Sequence, residues 1–304
     1  MSTAANAAAL PVQDARTVDL SGKSGGRALK NTLATVIMWA AFGIAVVPLV
    51  WILWTVLVKG GALLADSGWW THSQNGVTAR REGGGAVHAI EGTLLQGAVT
   101  ALISVPIGIL TAVYLVEYGR GMLARLISFM VDILTGVPSI VAGLFIYAVF
   151  MTTFKMQRAG IFVCLALTLL MIPTIVRSTE EMLKLVPNEL REASYALGVP
   201  KWKTISAVVL PTAFSGIVTG VLLGLARVMG ETAPLLILGP YTKAIASNLF
   251  SGNMATLPTM INQERDQAPT MPAYDRVWAA ALTLILIILV LNLLGRFISS
   301  RSTL

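Results

Sequence analysis

The sequence predicts an all-α membrane protein, and two observations support this fold class: its composition and the length of its apolar segments. Of the 304 residues, 55% are hydrophobic and only 12% are charged, which is unusual for a soluble globular domain. A helix needs about 20 mostly apolar residues to cross a bilayer. Six segments meet this condition and predict six transmembrane helices. They are residues 33–58, 93–116, 126–151, 160–176, 212–238 and 277–299.

The amino-terminal region, residues 1–30, is polar and rich in alanine and is predicted to be a cytoplasmic tail. It contains no apolar stretch of the kind that a cleaved signal peptide requires, so we expect segment 33–58 to be a retained transmembrane helix. Gly22, Lys23 and Ser24 resemble the end of a phosphate-binding loop, but Thr17 stands where that loop needs glycine. We therefore expect no ATP site in this tail and interpret residues 31–304 as one transmembrane domain.

The distribution of positive charge predicts the orientation of the chain. With the amino terminus inside, Lys and Arg are more numerous on the inner segments than on the outer loops. Such a bias places both termini in the cytoplasm. The net charge of +7 is therefore interpreted as an orientation signal and not as a nucleic-acid-binding surface.

No metal, cofactor or catalytic site is expected in this chain. His72 and His88 both lie in the first long loop, where we expect them at the surface. Cys164 falls inside the fourth apolar segment and is interpreted as a small buried residue. These residues do not form a recognisable set of metal ligands.

Two opposite charges stand inside the fifth apolar segment, where Arg227 and Glu231 are predicted to lie near the middle of the span. A charge at that depth costs about 2.5–3.5 kcal/mol, so it usually faces a partner or an aqueous path. Residues four apart share one face of a helix and can pair. Arg227 keeps its charge and has the geometry to bind an oxyanion, which predicts an anion path. The alternative is an ion pair that only locks two helices together.

Other polar residues are weaker candidates for the same path. Thr232 adds a hydroxyl beside the charged pair, and Arg177, at the cytoplasmic end of the fourth segment, is a candidate second station for an anion. Arg177 is equally consistent with an ordinary basic anchor on the inner side. Asp132 is expected to pair with a basic neighbour or to reach towards the cytoplasm.

Prolines interrupt four of the apolar segments, and transporters place such breaks along their paths. Most prolines in membrane helices are passive kinks. Gly136 and Pro138, separated by one residue in the third segment, are the preferred candidates for a gate hinge.

The segment 178–211 is predicted to form short helices beneath the membrane. Ser178 and Glu181 have the spacing of a capping box, and Asn188 is expected to cap the next helix. Gly198 stands where a helix commonly ends in a left-handed residue. The following helix is expected to end before Pro211.

One motif in this segment resembles the cytoplasmic "EAA" loop of ABC importer permeases. That loop has the pattern Glu-Ala-Ala, three residues, Gly, nine residues, Ile, one residue, Leu-Pro. The spacing matches throughout, with Ser194 in place of the second alanine and Val208 in place of the isoleucine. The matching residues are Glu192, Ala193, Ser194, Gly198, Val208, Leu210 and Pro211.

Three further segments resemble the permeases of phosphate-specific importers, most closely the PstA subunit type. They are Gly136–Leu144, Ile172–Glu181 and Ala226–Leu236. The resemblance implies a type I permease fold in a bacterial inner membrane and a non-catalytic role in ATP-driven phosphate import. It also implies a homologous second permease, two ATP-binding subunits that carry ATP and Mg²⁺, and an extracytoplasmic phosphate-binding protein. The alternatives are another oxyanion, such as sulfate or molybdate, and a gradient-driven anion transporter.

Overall fold

The structure is a computed structural model that describes residues 25–266 and 272–301. Within these ranges the chain is helical, and the only β-type pairing is one isolated bridge between Ala159 and Gly252. The α-helices are α1 Gly25–Leu64, α2 Ser67–Thr71, α3 Val87–Val113, α4 Gly121–Gly136, α5 Ser139–Ile146, α6 Gly160–Lys184, α7 Asn188–Ala196, α8 Lys201–Thr204, α9 Leu210–Met229, α10 Ala233–Leu238, α11 Leu257–Asp266 and α12 Ala273–Arg301. The π-helical turns are π1 Tyr114–Tyr118, π2 Tyr147–Thr153 and π3 Ile205–Val209.

The chain divides into two units, Met1–Leu53 and Trp54–Leu304. Of the first unit, the structure describes the beginning of α1, and every contact reported below lies within the second. Of the predicted tail, residues 1–30, the first 24 residues lie outside the described part of the chain. Its remaining residues are already part of α1.

The membrane-spanning segments agree in number with the sequence prediction. Among the residues that the structure describes, five helices are long and apolar enough to cross a bilayer, and the bent pair of α4 with α5 and π2, taken as one span, makes a sixth. The five are Ala28–Leu64, Val87–Tyr118, Gly160–Lys184, Lys201–Met229 and Ala273–Arg301. The all-α membrane fold is therefore confirmed.

The third predicted span, 126–151, is not one straight helix. It breaks between α4 and α5, and its two parts are bent by 106°. Val137 is extended, with φ −71° and ψ 125°, because the residue before a proline is driven away from helical geometry. The other intramembrane prolines that the structure describes, at positions 48, 106 and 173, stay inside continuous helices.

The fifth predicted span, 212–238, has different boundaries from those expected. Its helix begins at Lys201, passes through π3 and ends at Met229, after which Ala233–Leu238 forms the separate helix α10. Pro211, expected beyond the end of a helix, lies in the first turn of α9. The proline comes just after π3, in which the regular α-helical hydrogen bonds are already interrupted.

Helix α6 forms the centre of the second unit, since 67% of its most apolar stretch is buried. It packs against α3, α4, α5 and α9. Cys164 lies on this helix and is completely buried, as predicted. A Cβ added at Gly108 of α3 would lie 2.8 Å from the Ile175 Cβ, and one added at Gly220 of α9 would lie 2.6 Å from the Ser178 Cβ. Glycine thus permits the close helix approach that stabilises membrane bundles.

A buried ion pair holds the loop before α3 against α11 and α12. The Arg276 Nε donates to Glu264 Oε2 at 3.0 Å, and both side chains are almost completely buried. The same guanidinium donates to the carbonyls of Arg81 at 3.0 Å and Thr78 at 3.2 Å. One charged side chain therefore fixes three segments of the chain.

His88 is not at the surface, and that prediction was wrong. It is 2% exposed at the start of α3, where its Nε2 lies 2.9 Å from the Tyr241 hydroxyl. Tyr241 in turn donates to Gln74 Oε1 at 2.6 Å. Burial and the neighbouring Glu264 carboxylate raise the pKa of Tyr241 above its usual value, so the phenol keeps its proton. His72 is exposed, as expected.

Candidate functional site

The charged pair predicted for the fifth span lies at the end of its helix and not near the middle. Arg227 belongs to the last turn of α9, and Glu231 lies in the short break before α10. The Arg227 Nε and the Glu231 Oε1 are 4.0 Å apart. At this distance the two side chains form an ion pair, but their atoms are too far apart for a hydrogen bond. Thr232 occupies the position directly before α10.

The two members of this pair differ in exposure, and the difference bears on their chemistry. The Arg227 side chain is 55% exposed, whereas that of Glu231 is 18% exposed. Because the contact is long and the guanidinium is open on one side, an oxyanion can approach without first breaking a hydrogen-bonded salt bridge. Glu231 offsets part of the positive charge, which favours release as well as binding.

Arg227 stands at the end of an open, partly polar face of α9. Ser215, Thr219, Leu223 and Arg227 follow one another at four-residue spacing and are half-buried or exposed in the isolated chain. The Thr219 hydroxyl donates to the Ser215 carbonyl of its own helix at 2.9 Å. Hydroxyls satisfied in this way can line a path without a large desolvation cost.

The helix after the Glu231 break, α10, packs against the helix after the hinge candidates, α5. A Cβ at Gly143 of α5 would lie 2.9 Å from the Pro234 Cα of α10, so α5 and α10 are in close contact. Gly136 is the last residue of α4, and Pro138 is the residue before α5. A Cβ at Gly136 would meet nothing within 4 Å. Packing therefore does not explain this glycine, and the hinge role of both residues stays a prediction.

Arg177 is held by several partners near the end of α6. Its guanidinium donates to Asp132 of α4, to Glu180 Oε2 at 2.6 Å and to the Ser128 hydroxyl at 3.1 Å. Lys184 Nζ donates to Glu180 Oε1 at 2.7 Å. The expected pairing of Asp132 with a basic neighbour is confirmed. Arg177 as a station for an anion stays a prediction, because here its charge is matched by carboxylates.

Within the segment predicted to lie beneath the membrane, α7 and α8 form a hairpin. We call it the coupling hairpin, residues 185–204, after the role that its motif predicts. Gly198 has a φ of +76° and ends α7, as predicted. Its N–H donates to the Tyr195 carbonyl at 2.9 Å, and the Val199 N–H donates to the Ser194 carbonyl at 3.2 Å. This pair of bonds is a Schellman motif, which satisfies the last carbonyls of a helix.

The start of the predicted loop, 178–211, differs from expectation. Ser178 does not begin a helix, since α6 continues to Lys184 and the Ser178 hydroxyl donates back to the Thr174 carbonyl at 2.8 Å. The predicted cap at Asn188 is also wrong. Pro187 precedes α7, and no side chain caps that helix. The continuous packing of α6 outweighs the local capping signal at its end.

The motif residues divide between an outer face and an inner face. Glu192, Ala193 and Gly198 are exposed, whereas Ser194 is buried. Leu210 and Pro211 lie outside the hairpin, at the start of α9. The exposed residues are available to another protein, and the buried one joins the two arms of the hairpin.

The sequence did not identify the contact between Arg191 of the hairpin and Glu117 of π1. The Arg191 Nη2 lies 2.9 Å from Glu117 Oε1, and both side chains are largely buried. The two residues are 74 positions apart. No local periodicity relates them, so only a record of paired substitutions among relatives carries such a signal.

Comparison with known proteins gives a consistent result. Residues 104–303 match the family described as "Binding-protein-dependent transport system inner membrane component". The phosphate transport system permease protein PstA 1 of Mycobacterium tuberculosis (strain H37Rv) is 51% identical over 278 residues, covering 90% of each chain. The PstA protein of Yersinia pestis is 41% identical and covers 92% of this chain and 93% of its own length.

Solved structures support the fold alone. A chain of the inward-facing MetNI methionine ABC transporter has a TM-score of 0.55 and 21% identity, covering 71% of this chain and 94% of its own. A chain of the bacterial alginate ABC transporter, solved with an alginate-bound periplasmic protein, has a TM-score of 0.65 and 14% identity. It covers 92% of this chain and 99% of its own.

Proposed function

The chain belongs to the PstA family of binding-protein-dependent transport permeases, and from this premise we propose that it conducts inorganic phosphate through an ATP-driven importer. It is a multi-pass membrane protein with the type I ABC importer permease fold. Its relatives are named as permeases of phosphate transport systems. Other subunits of the importer and a binding protein complete the assembly.

The observation that carries this proposal is the position of Arg227. Its guanidinium is open to the outside of the isolated chain, at the end of an apolar helix, and is held only loosely by Glu231. A phosphate ion carries one or two negative charges at neutral pH and offers oxygens that match the planar guanidinium. Glu231 lowers the net attraction, so the anion is bound transiently.

We assign supporting roles along the same path to Thr232 and Arg177. The Thr232 hydroxyl is adjacent to Glu231 and can donate to a phosphate oxygen. Arg177 would serve as a second station if the anion displaced Asp132 or Glu180 from its guanidinium. The open face of α9 that leads to Arg227 would then meet a second, homologous permease, so that two chains enclose one path.

The ATPase activity that drives transport would lie on separate chains. Two ATP-binding subunits would carry ATP and Mg²⁺, and this chain would bind no cofactor and perform no covalent chemistry. The exposed residues Glu192, Ala193 and Gly198 would dock the hairpin into one of these subunits. An extracytoplasmic phosphate-binding protein would deliver the anion on the other side.

This arrangement also supports the proposed orientation. The hairpin follows the fourth of six spans, so it lies on the same side as both termini. A subunit that hydrolyses cellular ATP must be cytoplasmic. Both termini are therefore assigned to the cytoplasm, in agreement with the distribution of basic residues.

The proposal is tested with the importer purified as an assembly and reconstituted into liposomes. We expect ATP-dependent uptake of labelled phosphate that requires the binding protein and is not reduced by an excess of sulfate or molybdate. Competition by sulfate or molybdate would favour another oxyanion. Uptake driven by an ion gradient without any ATPase chain would contradict the proposal as a whole.

A further inference from the structure

We infer that the ion pair between Glu117 and Arg191 is the joint through which the coupling hairpin moves α3. This inference rests on the proposed function, in which an ATPase moves the hairpin. It adds a second line of transmission to the direct continuation of the hairpin into α6 and α9. Glu117 and Arg191 are proposed as positioning residues, since neither contacts the transported ion.

The first observation is the geometry of the guanidinium. Arg191 Nε and Nη2 both donate to Glu117 Oε1, at 3.0 and 2.9 Å. Nη1 donates to the Val186 carbonyl at 2.7 Å, and Nη2 also donates to the Leu183 carbonyl at 3.0 Å. One side chain thus joins the end of α6, the connector to α7, α7 itself and the extension of α3.

The second observation is that the hairpin holds π1 from both of its arms. Lys201, at the start of α8, donates to the Glu117 carbonyl. Its Nζ also lies 4.7 Å from the centre of the Tyr118 ring, within the range of a cation–π contact. A displacement of the hairpin therefore acts on π1 through two cations on two different helices.

The third observation is the burial of the pair. The side chains of Arg191 and Glu117 are 13% and 6% exposed. Solvent screens a buried pair much less than an exposed one, and removing one partner leaves an uncompensated charge. The joint is therefore stiff, unlike the exposed pair of Arg265 and Asp266 elsewhere in the chain.

The fourth observation is where α3 leads. Helix α3 and π1 form one continuous span, Val87–Tyr118. A Cβ at Gly97 of α3 would lie 3.3 Å from the Met229 side chain, and Met229 is the end of the helix that carries Arg227. From Gly97 to Glu117 the helix covers about 30 Å at 1.5 Å per residue. A shift of π1 is thus transmitted to the surroundings of the anion site.

The position of the joint in a π-helical turn is consistent with movement. π1 and π3 flank the hairpin, and each replaces the regular α-helical hydrogen bonds over five residues. Such turns occur mostly as local irregularities at functional sites. Here they separate the hairpin from the straight parts of α3 and α9.

The test compares Glu117→Gln with the original protein in the purified assembly, including its ATPase. The substitution keeps the shape and one hydrogen-bond acceptor but removes the charge. Glu82→Gln, at an exposed carboxylate in the loop before α3, is the matched control. Cys164 is replaced by alanine in all variants, and spin labels are placed at the exposed Leu102 of α3 and Leu293 of α12.

The distance between the two labels is measured without nucleotide and after trapping with vanadate. We expect a change in the original protein and in Glu82→Gln, and its loss in Glu117→Gln. Phosphate transported per ATP hydrolysed should fall about tenfold in Glu117→Gln, within the usual range of coupling energies.

Two results would overturn the inference. One is a label distance that changes on trapping in Glu117→Gln as it does in the original protein. This holds even if less of the complex assembles, provided that each assembled complex still transports the original amount of phosphate per ATP. The other is an original protein in which α3 does not move on trapping. A failure of the proposed function is distinct from both. The label distance would then respond to nucleotide while phosphate uptake was absent.

Discussion

The hydroxyls of Ser194 and Thr204 lie 2.8 Å apart and join the two arms of the coupling hairpin. Ser194 occupies the position that is the second alanine in the EAA pattern. The departure from that pattern is thus matched by a buried hydrogen-bond partner. A hairpin whose arms are bonded to each other moves as one body when a partner displaces it.

Replacing Ser194 tests this bond. We expect Ser194→Ala to lower the stability of the protein by about 1 kcal/mol, the usual net contribution of a hydrogen bond. The loss is small because the Thr204 hydroxyl also approaches the Pro200 carbonyl at 3.4 Å. Thermal unfolding of the purified protein measures it. The double variant with Thr204→Val should lose less than the sum of the two single losses, because each single change already breaks the same bond. A fully additive loss would contradict a direct bond between the two hydroxyls.

Gly198 should be essential for the shape of the hairpin. Its φ of +76° costs most residues about 1–2 kcal/mol, and a branched side chain is the least suited to it. Gly198→Val is expected to remain in the membrane but to separate ATP hydrolysis from phosphate uptake. Gly198→Asn is the control, because asparagine tolerates the left-handed conformation. Normal uptake by the valine variant would refute the role of the hairpin as a lever.

Arg227 should be required for transport but not for assembly. Its side chain is more than half exposed and forms one long ion pair, so Arg227→Gln removes little structure. We expect uptake to be abolished while the complex still assembles and hydrolyses ATP. If the pair is a structural lock, the amount of assembled complex will fall instead. Adding Glu231→Gln would then restore it.

The break between α4 and α5 can be tested at Pro138. In Pro138→Ala an N–H becomes available, which favours a straighter helix than the 106° bend observed. We expect reduced uptake with ATP hydrolysis retained. Gly136→Ala should be milder, since a Cβ there meets open space. Unchanged uptake in both variants would make the break a passive kink.

The buried pair of Arg276 and Glu264 should contribute strongly to stability. Arg276→Met leaves the buried Glu264 carboxylate with only the more distant Lys243 Nζ, at 4.0 Å, and the loss of a buried partner costs about 3–5 kcal/mol. We expect a large fall in the temperature of unfolding. Combining it with Glu264→Leu removes both charges and should restore much of the loss. A double variant less stable than Arg276→Met would contradict this explanation.

Local chemistry explains which features could be predicted from the sequence. Apolar length identified the spans, and the need for a left-handed residue identified Gly198. The cost of an intramembrane charge identified the pairing of Arg227 with Glu231 and of Asp132 with a basic neighbour. Each of these signals lies within a few residues of the feature that it predicts.

Features set by distant parts of the chain were missed or misplaced. The burial of His88 depends on Tyr241, and the contact of Arg191 depends on Glu117. Ser178 has the sequence of a helix start, yet the packing of α6 against α9 carries the helix past it. The end of α9 at Met229 was not predicted, because only Gly230, Glu231 and Thr232 separate it from the apolar residues of α10.

The continuity of the helix from Lys201 to Met229 has a mechanical consequence. Lys201 in the second arm of the hairpin and Arg227 belong to this one helix, and their positions are about 39 Å apart at 1.5 Å per residue. A twist applied at its cytosolic end would swing the cation sideways at the other end. Movement of the hairpin and reorientation of the Arg227 side chain would then be parts of one motion.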